Sequence, residues 1–262
     1  MMNRRVFAGS LAALSVAALR VEAAQAQDTR RGASSARNVV LVHGLFADGS
    51  SWGKVVPVLQ RAGLNVTAVQ NPLSSFADDV AATRRALALQ DGPTVLVAHS
   101  YAGMVISEAG MDPKVTSLVY IAARAPDAGE NYAALAARFP APPASAGIVW
   151  GPDGYGELSE AAFVRDFAGD LPPDEARAYY AVQGRMSRAT PAAQTTVAAW
   201  RHKPTYYAVS QNDRTINPDL QRFMAKRMKA QTIELPASHA SLLSRPQEVA
   251  ALILSAAFPT GR

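Results

Sequence analysis

The sequence predicts an α/β fold: a mostly parallel sheet with helices on both faces and a helical cap inserted before the last two strands. Three observations predict it. Apolar, β-branched segments alternate with segments of helical spacing from residue 38 to about 122, the pattern of parallel strands joined by crossovers. The strand-like segments are apolar throughout, as in Val95-Leu96-Val97-Ala98, which fits burial on both faces. The alternation halts from 125 to about 200, a stretch rich in alanine, proline and aromatics, and then resumes.

The elements follow in order. Residues 1–26 read as an address. Paired Arg4 and Arg5 precede Phe7, an apolar run covers 6–19, and Ala24-Gln25-Ala26 offers a small-x-small cleavage site. This is the layout of a secretory signal of twin-arginine type, pointing to a periplasmic or secreted bacterial protein. Residues 27–37 are small and polar and are expected to be a flexible lead-in, leaving 38–262 as the folded domain. The run at 38–43 is a buried strand ended by Gly44. Helical spacing covers 52–62, with Ser50 or Ser51 as its cap. A strand at 64–69 is broken by Asn71-Pro72, a helix covers 77–90, and strands at 94–99 and 115–122 flank a helix at 101–110. The cap covers about 125–200. Beyond it come a strand at 205–210, a helix at 218–228, a strand at 232–235 and a final helix at 246–258.

Composition narrows the function. There is no cysteine, which excludes disulfides, thiolate metal sites and a cysteine nucleophile. No His-Glu-x-x-His or comparable cluster suggests a metal. The net charge is +5; residues 1–26 carry three arginines and one glutamate, so the mature chain keeps about +3. Its basic residues are scattered, and the Lys226, Arg227, Lys229 group fits the end of a helix. No basic stripe interleaved with aromatics points to nucleic acid. After the signal, no apolar run is long enough to span a membrane.

Ser100 is the candidate nucleophile. It stands between the strand at 94–99 and the helix at 101–110, in Ala98-His99-Ser100-Tyr101-Ala102-Gly103. A sharp strand-to-helix turn lifts a serine hydroxyl above the sheet edge and aims a helix N-terminus at the reacting oxygen. Crowding there demands small residues two positions to either side. Glycines are usual; here Ala98 and Ala102 serve. A hydroxyl needs a base, and imidazole has a suitable pKa. Of four histidines, His43 and His99 end strands and are expected to support their turns, and His202 sits among charges before a strand. His239 lies in a loop after the last strand, where parallel sheets collect catalytic groups. Asp213, after the strand at 205–210, is the candidate acid, since Asn217 before Pro218 already supplies the helix cap. Asp127 is the alternative acid. The expected oxyanion-hole donors are the backbone N–H groups of Tyr101 and Leu45. The stretch from Gly44 through Gly49-Ser50-Ser51 imitates a phosphate-binding loop, but has serine where that motif needs lysine.

Together these residues resemble the α/β-hydrolase superfamily over about 38–258. Within it, the chain resembles the branch of plant methylesterases, hydroxynitrile lyases and bacterial pyrethroid-hydrolase-like carboxylesterases. The carrying stretches are 40–44 with Gly49 and Trp52, then 99–104, then Tyr120-Ile121-Ala122-Ala123 with Pro126-Asp127, then Asp213 with Phe223, and Ser238-His239 before Pro246. The resemblance implies the α/β-hydrolase fold, a Ser-His-Asp triad, a helical cap over the site and no cofactor. The lyases of this branch resemble one another in a lysine after the histidine and a cysteine after the serine; here those places hold Ala240 and Tyr101. That leaves ester hydrolysis, a carboxylesterase-type activity, ahead of a lyase-like enzyme or a non-catalytic ligand-binding relative. The expected partner is a small hydrophobic or aryl ester. A homodimer is compatible with the sequence.

Overall fold

A computed structural model of the chain describes residues 35–259; the signal read in 1–26 and most of the lead-in lie outside the described residues. Six parallel strands form the main sheet: β1 (Asn38–Val42), β2 (Asn65–Val69), β3 (Thr94–His99), β4 (Val115–Ile121), β8 (Thr205–Ser210) and β9 (Gln231–Leu235). Their order is β2-β1-β3-β4-β8-β9. The inner strands β1, β3 and β8 are buried at every residue, whereas the edge strands β2 and β9 are mostly exposed or half-buried. Apolar runs therefore mark the centre of the sheet, where helices cover both faces.

Helix α1 (Val56–Arg61) follows β1, α2 (Phe76–Ala88) follows β2, and α3 (Ala102–Ala109) follows β3. Ser75 caps α2 by accepting from Asp78 N–H. The first turn was expected to extend a single helix from 52 to 62. It is a 3-10 turn at Gly49–Trp52, capped by Asp48 rather than a serine, with α1 starting later at Val56.

Between β4 and β8 the chain builds the cap. It holds α4 (Tyr132–Ala136) and α5 (Pro173–Ala181), and between them a π-helical turn, Phe163–Phe167. The expectation of a helical cap needs correction in one respect. β5 (Ile148–Trp150), β6 (Tyr155–Leu158) and β7 (Met186–Ser187) form a small antiparallel sheet. The β5–β6 hairpin turns through Gly151-Pro152-Asp153-Gly154, with Gly154 at φ 80° and Asp153 accepting from Tyr155 N–H. Glycine and aspartate make that turn at no steric cost. After the cap, α6 (Pro218–Arg227) packs on β8, and α7 (Pro246–Ala257) crosses β3, β4 and β8.

The strand order places the site. From β1 the chain steps outward to β2, then returns past β1 to β3. The connections leaving β1 and β3 diverge, and a crevice opens between their carboxyl ends. Ser100 and the loop 43–46 border that crevice.

Candidate active site

Ser100 is the first residue past β3 and holds φ 58°. Its N–H donates to Ile121 O at 3.1 Å; its carbonyl accepts from Gly103 N–H at 3.1 Å and Arg124 N–H at 2.9 Å. These bonds over-determine a left-handed conformation that a non-glycine residue otherwise avoids. Ala98 and Ala102 are fully buried, so the small residues sit where the turn is tightest. Two glycines complete it. A Cβ on Gly44 would lie 2.6 Å from Ser100 Cβ and 3.2 Å from its Oγ; one on Gly103 would lie 2.0 Å from Arg124 O. The loop after β1 thus runs directly against the serine.

The imidazole of His239 reaches Ser100 from the loop after β9. Its Nε2 is 2.8 Å from Ser100 Oγ, and its Nδ1 is 2.6 Å from Asp213 Oδ2. A carboxylate only accepts, so Nδ1 carries the proton and Nε2 is free to take one from the hydroxyl. Both His239 and Asp213 are buried. Asp213 Oδ1 accepts the N–H groups of Thr215 and Ile216 at 2.7 and 2.8 Å. Its Oδ2 also accepts Gln221 Nε2 at 2.7 Å. Gln221, on the inner face of α6, donates as well to Ile216 O at 2.9 Å and accepts from Ser210 N–H at 3.0 Å. One buried amide therefore locks the end of β8, the turn carrying Asp213 and the carboxylate itself. A hydroxyl, an imidazole and a buried carboxylate so arranged can pass a proton from serine to ring while the carboxylate steadies the imidazolium.

The cap closes over this line. The carbonyl of Phe167, at the end of the π-turn, accepts from Ala240 N–H at 3.1 Å and Ser238 Oγ at 3.2 Å, one on each side of His239. The Phe167 ring meets the His239 ring nearly edge-on at 5.0 Å. Single π-turns often mark functional positions because they re-aim side chains within a helix. Beside it lies a crevice open to solvent, lined by Phe46, Ala47, Phe163, Phe167, Tyr179, Val182 and Leu243 together with the polar Asp48 and Ser51. Of the cap aromatics, Phe163, Phe167 and Tyr179 line it, while Phe139 packs on Phe223 and Trp150 lies under Arg188.

A family model described as "Alpha/beta hydrolase family" matches residues 39–252. The chain belongs to that family. This hydrolase is 32% identical over 130 residues to a carbendazim hydrolyzing esterase of Nocardioides sp. (strain SG-4G); the match covers 44% of the chain and about half, 53%, of that esterase. It is 28% identical over 243 residues to an alpha/beta hydrolase of Aspergillus novofumigatus, covering 84% of the chain and 96% of the relative. Among solved structures, a pyrethroid hydrolase from Sphingobium faniae JZ-2 superposes with a TM-score of 0.72 at 22% identity, covering 86% of this chain and 99% of that one. The resemblance read from the residues therefore leads to a branch of the family that holds esterases.

In this α/β hydrolase the candidates sort cleanly. Ser100, His239 and Asp213 converge. Asp127 does not reach His239; it pairs with Arg201, whose Nε donates to Asp127 Oδ1 at 2.7 Å. His43 supports its turn: Nε2 accepts from Asn71 N–H at 2.9 Å, so Nδ1 donates to Gly44 O, and burial lowers its pKa. His99 Nε2 donates to the carbonyl of His239 at 3.0 Å, and burial holds that ring neutral, well below its ordinary pKa. His202 is exposed. The mimic of a phosphate loop is occupied by the chain itself, since Gly49 N–H donates to Gln70 Oε1. Leu45 sits in the turn pressed on Ser100, and Tyr101 opens the following helix; among the described residues neither N–H donates a hydrogen bond. Gln221 was missed, and Phe167, one of the cap aromatics expected to line a pocket, was not expected to hold the His239 loop through its carbonyl. A glutamine eight residues past the acid carries no signal in one sequence, and no local pattern announces a carbonyl that holds a loop seventy residues away.

Proposed function

We propose that this hydrolase cleaves carboxylic esters of small hydrophobic or aryl substrates through an acyl-enzyme. The observation that carries the reading is the unbroken line from Ser100 Oγ to His239 Nε2, 2.8 Å, and from His239 Nδ1 to Asp213 Oδ2, 2.6 Å. In the first half-reaction Ser100 Oγ bonds to the ester carbonyl carbon as its proton passes to His239 Nε2. The tetrahedral intermediate collapses, and the departing alcohol takes that proton. In the second half, water gives a proton to His239 and attacks the acyl carbon. The acid leaves and Ser100 recovers its hydrogen. The N–H groups of Leu45 and Tyr101 receive the oxyanion; one such donor is worth about 3–4 kcal/mol in comparable enzymes. The aromatic wall of the crevice, Phe46, Phe163 and Phe167, supports an apolar or aryl substrate group, with Asp48 and Ser51 on its polar side. Relatives named esterase and pyrethroid hydrolase support an ester bond as the target.

The test is an ester panel with wild type and Ser100→Ala, together with labelling by a fluorophosphonate. Wild type is expected to hydrolyse small esters and to be labelled. Ser100→Ala is expected to lose on the order of a million-fold in turnover and to escape the label. A wild-type protein that turns over no ester and resists the label overturns the reading.

A further inference from the structure

Arg124 leaves the carboxyl end of β4 three residues past the strand, on the edge where Ser100 stands, and its N–H donates to Ser100 O at 2.9 Å. Its guanidinium carbon lies 4.6 Å from the centroid of the Tyr132 ring, the first residue of cap helix α4, and 6.0 Å from that of Tyr101. The charge therefore sits between the residue after the nucleophile and the inner wall of the cap. The Tyr132 phenol is pushed up to about 12, chiefly by burial; Arg124 draws it down and the Asp213 carboxylate pushes it further up, so Tyr132 feels both groups.

This guanidinium is unlike the others. Among the described residues, it belongs to the only arginine that is not exposed and yet has neither a carboxylate nor a hydrogen-bond acceptor for its side chain. Its Nε is buried without a partner. The two carboxylates within reach of its neighbours are committed elsewhere. Asp79 accepts from the Tyr101 hydroxyl at 3.0 Å and from Leu73 N–H, and Asp213 is filled by His239, Gln221 and two backbone N–H groups. A half-buried charge without an acceptor is costly to hold, and stacking on Tyr132 offsets only part of that. A guanidinium left without an acceptor beside the serine turn is a position where an anionic group can bind.

We propose that Arg124 is a specificity-determining subsite for a carboxylate at the far end of the acyl group, so that among small esters the half-esters of dicarboxylic acids are preferred, the crevice at Phe167 being left to the apolar or aryl alcohol group. The inference rests on the ester-hydrolase reading for the position of the reacting carbonyl. The fork of N–H donors on a guanidinium matches two carboxylate oxygens. A carboxylate held there lies on the cap side of the nucleophile, beside Tyr101 and Tyr132, while the reacting carbonyl faces Ser100 Oγ.

The test compares matched esters, methyl pentanoate, hexanoate and heptanoate against monomethyl glutarate, adipate and pimelate, with wild type, Arg124→Met and Arg124→Lys. Wild type is expected to prefer the half-ester at the best-matched length. Arg124→Met is expected to cut the half-ester to neutral-ester ratio of kcat/KM by about 10- to 100-fold, the range of a lost hydrogen bond to a charged group, with Arg124→Lys in between. Calorimetric titration of Ser100→Ala with the free dicarboxylates reads the same subsite without turnover. Affinity for the dicarboxylate is expected to fall at least tenfold in Ser100→Ala/Arg124→Met. An unchanged ester ratio together with unchanged dicarboxylate affinity overturns the subsite. Absence of hydrolysis with intact, Arg124-dependent dicarboxylate binding instead overturns ester hydrolysis and leaves the subsite standing.

Discussion

Replacing Gln221 by leucine removes three hydrogen bonds from a fully buried amide while keeping its size. One bond runs to the Asp213 carboxylate at 2.7 Å, one to Ile216 O at 2.9 Å and one from Ser210 N–H at 3.0 Å. The partners cannot find water, because Ser210, Ile216 and Asp213 are all buried. Leaving a buried N–H and a buried carbonyl unpaired costs about 1–3 kcal/mol each, and loss of a bond to a charged group adds a similar amount. Burial of the leucine side chain returns some of this, for a net loss of about 3–5 kcal/mol. A domain of this size melts roughly 2–4 °C lower per kcal/mol, so the Gln221→Leu protein is expected to melt about 10 °C below wild type. Asp213 keeps its two backbone donors and His239, so activity should fall about tenfold rather than vanish. Calorimetry with and without an esterase assay reads both. A variant melting within about 2 °C of wild type would refute the claim that this amide locks the acid-bearing turn.

Two further substitutions test other parts of the site. Gly44→Ala places a methyl group 2.6 Å from Ser100 Cβ and 3.0 Å from His99 O; neither can yield without moving Ser100, so on the proposed mechanism kcat/KM is expected to drop about 100-fold. Steady-state kinetics within threefold of wild type would count against that packing. Asp79 is fully buried and burial raises its pKa to about 6 from 3.8. The folded protein thus binds a proton more tightly than the unfolded chain, and Asp79 costs stability as pH rises from about 4 to about 6, with no further change above. Asp79→Asn carries no such titration. Its stability relative to wild type is expected to improve by about 2 kcal/mol between pH 4.5 and pH 8. A stability difference that is flat across that range, measured by denaturant titration, would contradict the assignment.

Much of the fold could be read from local chemistry. The strands at 94–99 and 205–210 are found with the expected bounds, and the other four in the main sheet differ by one residue, because β-branched runs ended by glycine or proline fix where extended backbone starts and stops. The cap was harder. Its antiparallel sheet is built from strands of three, four and two residues, too short for a period of two to show. The Gly151-Pro152-Asp153-Gly154 turn was the one signal available for it.

Ser100, His239 and Asp213 were legible because each follows a strand, and parallel strands all point their carboxyl ends to one edge. That inference needs only the order of elements along the chain. What brings the imidazole to 2.8 Å from the hydroxyl, however, is set by groups that sequence cannot connect: the Gln221 amide behind Asp213, the Phe167 carbonyl holding the loop around His239, and Gly44 admitting the β1 loop. By itself the sequence determined which residues stand on the reactive edge, through short-range rules of strand, turn and helix. Only the tertiary structure decided their distances, their hydrogen-bond partners and the unpaired guanidinium of Arg124, because buried polar groups are satisfied by whatever the packing brings near, not by what is adjacent in the chain.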